Sequence, residues 1–158
     1  MTNIRTKGHN LERDDVKILK EFFINAMTTR NGATYLDSCG IDIMNIPYAW
    51  QCKNGYSKGI NYETLIHNIE ELQIQKLGKK LPVIIHHKKG RKKEDNLIIM
   101  NLYEFLKEFK PIDLSLKLHK NLIKIEYVTF IERCLRRKFP NRNKRKTDVQ
   151  KSSGNIPE

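Results

Sequence analysis

Asp42, Gln51 and Lys53 are the residues of this chain whose types and spacing could do chemistry together. They stand in Gly40-Ile41-Asp42-Ile43 and, a few residues on, Gln51-Cys52-Lys53. A hairpin turning at Ile46-Pro47 pairs Asn45 with Tyr48, Ile43 with Trp50 and Asp42 with Gln51. Side chains alternate faces along a strand, so Lys53 shares the Gln51 side. Trp50 and Cys52 point the other way, with Ile41 and Ile43. One face then carries a carboxylate, an amide oxygen and an ammonium; the other is apolar and fit for a core. Hard oxygen donors beside a cationic side chain suit a divalent ion that cleaves phosphodiesters.

The elements that must hold these groups follow from periodicity and turn chemistry. Asn10 to Met27 reads as a first helix, capped by Asn10, with Val16, Leu19, Phe23 and Ala26 at spacings of three and four. Thr28 to Gly32 breaks it, and Ala33 to Leu36 reads as a strand before the hairpin. Asn54 to Gly59 is a loop by its turn residues. A second helix starts near Asn61 and ends before Gly78, its C-cap, on a stripe of Leu65, Ile69 and Leu72. Pro82 to His87 is an interior strand by its compact apolar run, and Leu97 to Met100 returns as another. A short helix from Asn101 or Leu102 ends at Phe109, before Pro111. Leu116 to Lys138 reads as a last helix, with Leu118, Leu122, Ile125 and Ile131 toward the body. This order predicts an α/β domain with a mixed sheet.

Composition bounds the rest. A chain of 158 residues, 39% hydrophobic and 30% charged, has room for one sizeable core. No apolar run reaches the roughly 20 residues of a membrane span. The start, Met1-Thr2-Asn3-Ile4-Arg5, lacks the apolar centre of a signal peptide, so the expectation is a cytoplasmic protein. Cys39, Cys52 and Cys134 have no CxxC spacing, which points away from a disulfide framework or a zinc knuckle. The net charge of +12 is concentrated. His86 to Lys93 holds five cations and no acid, and Arg133 to Lys146 holds eight and no acid; the remainder is close to neutral. Patches of this kind suit a polyanion, because neutralised phosphates release condensed counterions.

Taken singly, the same residues have ordinary roles. Asp42 beside Gly40 fits a turn cap. Lys53 before Asn54-Gly55 fits a solvated strand end. Glu12, with Arg13, fits a first-turn acid that complements the helix dipole. Trp50 reads as core, His86 and His87 as a strand end entering the basic turn, and Tyr56 and Tyr62 as flanks of a loop near the site.

Together, in this order, the residues match a pattern. Lys7-Gly8-His9-Asn10-Leu11-Glu12-Arg13, Gly40-Ile41-Asp42-Ile43, Gln51-Cys52-Lys53 and Pro82-Val83-Ile84-Ile85-His86-His87-Lys88 resemble the PD-(D/E)XK nuclease superfamily. Within it the chain is most similar to archaeal-type Holliday junction resolvases and their phage-encoded relatives. The resemblance spans Lys7 to about Phe109. It implies a restriction-endonuclease-like core over residues 1–112, a helical extension over 113–139 and a basic, loosely ordered tail over 140–158. It also implies a magnesium-dependent DNA endonuclease acting on branched DNA as a homodimer, with manganese as a second candidate ion. By the same resemblance Asp42, Gln51 and Glu12 hold the metal, and Lys53 assists the attacking water. Lys88, Lys89, Arg91, Lys92 and Lys93 then grip the DNA backbone, joined by Arg136, Arg137 and Lys138.

Gln51 departs from the family pattern, which has a glutamate there. An amide oxygen can ligate magnesium but brings no charge, and Glu63 and Asp37 are further acids that could compensate. The departure leaves a second reading open: a nucleic-acid-binding protein that keeps the scaffold and has lost catalysis.

Overall fold

The computed structural model describes residues 4–55, 59–76, 80–90, 92, 95–109 and 117–140. Helix α1 (Ile4–Leu19) leads into strand β1 (Met27–Thr28), a 3-10 turn (Thr29–Asn31) and the short helix α2 (Thr34–Ser38). Strands β2 (Ile43–Met44) and β3 (Tyr48–Gly55) form the hairpin, and helix α3 (Tyr62–Lys76) crosses to strand β4 (Leu81–Lys88). Strand β5 (Leu97–Asn101), helix α4 (Leu102–Glu108) and strands β6 (Lys117–His119) and β7 (Leu122–Glu126) follow. The chain then runs on as one helical segment, α over Tyr127–Thr129, π over Phe130–Leu135 and α again over Arg136–Lys138.

All seven strands join one mixed sheet in the order β1-β2-β3-β4-β5-β7-β6. β3 and β4 are its parallel pair and the remaining neighbours are antiparallel. The α3 crossover explains that pair, since parallel strands need a long connection. This is the α/β, mixed-sheet architecture expected, with helices on both faces. On one face Trp50, Val83, Ile85, Ile98, Met100 and Ile123 pack against α1, α4 and the C-terminal helical segment. On the other, Ile84, Ile99 and Leu122 lie under Tyr62 and Ile66 of α3, while Ile41 and Ala49 meet Ile69. No helix of the described residues is long and apolar enough to cross a membrane.

Four expectations are corrected. α1 starts at Ile4, so Asn10 and Glu12 lie inside it instead of at its cap and first turn. It ends at Leu19, not Met27, where the Phe22 and Phe23 amides turn back onto the Leu19 carbonyl at 3.0 and 2.8 Å. Phe23 and Ala26 still reach the core, so the helical spacing persists without the helix. Ala33 to Leu36 is not a strand but the N-cap and first three residues of α2, whose turn is closed by Cys39 N–H bonds to the Tyr35 and Leu36 carbonyls. The predicted helix from Leu116 is a β-hairpin through His119 and Leu122, and only then a helical segment from Tyr127. Leu118, Leu122 and Ile125 imitate a helical stripe. The alternation that wins is Ile123 and Ile125 into one core with Leu122 into the other. Residues 117–138 thus extend the same sheet and core instead of forming a separate helical addition.

The fourth correction lies in the hairpin. Ile43 pairs with Trp50 as expected, but the Asp42 N–H also bonds the Trp50 carbonyl at 2.8 Å. Two residues oppose one, which is a β-bulge. The extra residue resets the alternation, so Ile41 packs with Ala49 and Ile69, on the side opposite Ile43 and Trp50. Asn45, expected to pair with Tyr48, instead takes a left-handed φ of 62° in the turn.

Candidate active site

The bulge aims Asp42. Its carbonyl accepts the Thr29 N–H at 3.0 Å and the Thr29 hydroxyl at 3.3 Å, and its own N–H is held by Trp50. With the backbone clamped on both sides, the side chain reaches along the sheet edge. There Asp42 Oδ2 accepts the Cys52 N–H at 2.6 Å. β2 has no residue to meet Cys52, so the carboxylate stands where a continuing strand would place its carbonyl. Asp42 therefore lies at the open edge of β3, not on the Gln51 face as the simple register implied.

Gln51 and Lys53 leave the other side of β3 from Trp50, as alternation requires. Gln51 is buried, and its Oε1 has no hydrogen-bond partner among the described residues. The side chain lies against Gly40: a Cβ there would sit 2.5 Å from Gln51 Nε2, on a backbone with φ of +73°. Glycine is thus required twice over, for conformation and for space. Lys53 is half-buried, and its ammonium acts favourably on the Asp42 charge.

Glu12 approaches from α1, on the opposite side of the edge. It is buried, and Arg30 grips it with two bonds of 2.9 Å, Nε to Oε2 and Nη2 to Oε1. Arg30 Nη1 also meets His9 Nε2 at 2.6 Å. The sequence reading missed Arg30. It follows Thr29, the residue that clamps Asp42, so one short turn fixes both acids.

The electrostatics tie the cluster together. Burial raises the Asp42 carboxyl from 3.8 to about 6. The Cys52 N–H opposes the rise, Glu12 and Asp37 add to it, and Lys53 counters it. The Arg30 guanidinium is held above its usual range chiefly by its bonds to Glu12, with Asp37 and Asp42 contributing. A buried carboxylate so reluctant to ionise, ringed by other acids, favours an added cation.

The residues fit a small hard ion. Asp42 has lone pairs beyond the one given to Cys52, and Gln51 offers an unclaimed buried oxygen. One or two protein oxygens with several waters is an ordinary magnesium shell. Glu12 supplies charge in this arrangement while Arg30 occupies both its oxygens. Among the described residues, no three His, Cys, Asp or Glu side chains are gathered as a metal cage. Of the two compensating acids, Asp37 acts on Asp42, whereas Glu63 pairs with Lys120 at 3.2 Å.

No family model, curated protein or solved structure matches this chain.

Behind the site lies a buried network that the sequence did not announce. The Asn96 amide nitrogen donates to His87 Nδ1 at 2.7 Å, which leaves His87 Nε2–H to donate to Asp15 Oδ2 at 3.2 Å. The Cys52 thiol donates to the same Asp15 oxygen at 3.4 Å. Burial, then Asp15, pushes that thiol well up, so it remains protonated. On the α3 face the Tyr62 hydroxyl donates to His86 Nδ1 at 2.7 Å, and His86 Nε2–H donates to the Gly55 carbonyl at 3.1 Å. His86 and His87 stand at the end of β4 before the turn, as expected, and are buried there with separate partners; Tyr62 is buried as well.

The basic candidates divide. Lys88 closes β4, the exposed Lys89 donates its N–H to Gly55, and Lys92 is exposed. Arg91, Lys93 and Tyr56 lie outside the described residues, as does the tail from residue 141. Arg136 is paired with Glu132 at 2.8 Å and Glu21 at 3.4 Å, and Lys138 is paired with Glu108. Arg137 is exposed beside them.

Proposed function

We propose that the protein is a divalent-metal-dependent DNA endonuclease of the PD-(D/E)XK kind that cuts branched, junction-like DNA. The observation that carries this is the partly buried Asp42 carboxylate at the edge of β3, bonded to the Cys52 amide between the orphaned Gln51 oxygen and Lys53, whose ammonium acts on its charge. Asp42 and Gln51 hold the ion, magnesium or manganese, and Glu12 adds negative charge from α1. The bound ion supplies Lewis acidity toward the scissile phosphate and lowers the pKa of its water. Lys53 orients the attacking water and offsets the charge that builds on phosphate oxygens. Lys88, Lys89 and Lys92 hold the backbone next to the site, together with Arg91 and Lys93. Two copies acting together account for symmetric cutting of a four-way junction.

The test uses a synthetic four-way junction, a linear duplex control, magnesium or manganese, and an Asp42→Ala variant. Wild type cuts the junction, chelator stops it, and the variant leaves it whole. Equal survival of the junction with both proteins overturns the proposal.

The binding-only reading draws on two features: Gln51 is neutral, and Arg30 offsets the Glu12 charge. Gln51→Glu separates the two. A marked gain in cleavage identifies a working site with a weakened ligand, whereas silence from both forms leaves DNA binding alone.

A further inference from the structure

The two basic segments visible in the sequence are not the whole cationic surface. We propose that the DNA strand leaving the Asp42–Lys53 site passes the N-terminal end of α3, its phosphates held by Lys124 and Lys120 beyond it. The inference rests on the endonuclease reading and adds the path of the substrate.

Register supplies the geometry. Lys53 pairs with His86 across β3 and β4, so the two side chains share a face. Gln51 pairs with Ile84, Ile84 with Ile99, and Ile99 with Lys124, which puts Lys124 on the Gln51 face, with Ile84 and Ile99 between them buried under α3. Three steps of about 4.8 Å separate Gln51 from Lys124, a span of roughly 14 Å. Tyr62, the first residue of α3, bridges it. Its hydroxyl bonds His86 at 2.7 Å, and the Lys124 ammonium rests 5.3 Å from its ring centre. Burial lowers the His86 pKa, and Lys88 and Lys124 both contribute to the lowering, which marks them as cations near one neutral imidazole.

A cavity of about 440 Å³ opens at this end, lined by Gly59, Asn61, Tyr62, Glu63, Lys120 and Lys124 among others. Its size falls within the range of small-ligand sites. Glu63 is its one acid, and the 3.2 Å pair with Lys120 is exposed on both partners. Exposed pairs of this sort are weak and yield to a competing phosphate. The rival patch lies elsewhere: Arg136 and Lys138 are on the helical segment that packs the other face, and Arg136 carries two carboxylates, Glu132 and Glu21, where Lys120 carries one.

The experiment is fluorescence anisotropy of a labelled single strand in chelator, over a salt series, with Lys120→Ala/Lys124→Ala and a charge-matched control, Lys20→Ala/Lys107→Ala. Each phosphate contact on a single strand contributes about 0.7 to the slope of log affinity against log salt. The site variant is expected to lose about 1.4 of slope and about tenfold in affinity, the control little of either. Lys120→Arg/Lys124→Arg should restore both, which separates lost charge from a disturbed fold. Wild-type slope in the alanine variant, or equal loss in the control, overturns the inference. A protein that binds through these lysines but cuts no junction keeps this inference and ends the endonuclease reading. One that cuts junctions with unchanged KM after both lysines are removed ends this inference alone.

Discussion

Asp42→Asn should stabilise the protein while abolishing its cleavage. The asparagine is close to isosteric, and its carbonyl oxygen can keep the 2.6 Å bond from the Cys52 N–H. What it removes is a charge that burial disfavours. The folded carboxyl titrates at about 6 against 3.8 for an ordinary aspartate, and each unit corresponds to about 1.4 kcal/mol, so the shift is worth about 3 kcal/mol. Because the folded pKa is the higher one, the native state binds the proton more tightly than the unfolded chain. Wild-type stability therefore falls as pH rises from about 4 to about 6, and the penalty is fully present above that window. Urea unfolding of wild type and Asp42→Asn at a series of pH values reads the difference directly. At pH 7 the variant should be more stable by about 3 kcal/mol, and near pH 4 the two should converge. A variant less stable than wild type at pH 7, or a gap that ignores pH, refutes the claim that burial strains this carboxylate.

Further outcomes follow from neighbouring residues. The cleavage rate should rise with pH through a midpoint near 6 as Asp42 ionises, and saturating metal should move that midpoint down; a flat profile removes Asp42 from the chemistry. Arg30→Ala leaves buried Glu12 unpaired. With Arg30 about one-third exposed, the loss falls between surface and buried pairs, about 2 kcal/mol by urea unfolding, and Glu12→Gln in the same background should recover part of it. Gly40→Ala meets a left-handed backbone, which costs about 1–2 kcal/mol, and drives the Gln51 amide from its seat. Cleavage should then fall by more than stability explains, as activity and melting measured on the same preparation will tell.

The sequence made some features of this molecule legible and hid others for physical reasons. The Ile43–Trp50 pairing, β4, β5 and α4 follow from local periodicity and turn chemistry, and all are present. The bulge at Asp42 is invisible to alternation, because one extra residue leaves no compositional trace. The Glu12–Arg30 and Asp15–His87 pairs join residues 18 and 72 positions apart, and such spacing carries no local signal. The β6–β7 hairpin was hidden by apolar residues whose spacing satisfies two periods at once. Only the strand partner, β5, decides between them.

Asp42 has one more consequence, unrelated to catalysis. β3 continues to Gly55 past its pairing with β2 at Trp50, so among the described residues the Cys52 amide stands at a border of the sheet. Such borders recruit strands from other molecules and seed aggregation. A carboxylate lying in the plane of the sheet, already bonded to the Cys52 amide, occupies the place an incoming strand would take. The same side chain that makes the protein less stable keeps its copies from adding to one another, and Asp42→Ala should precipitate on storage even where it folds.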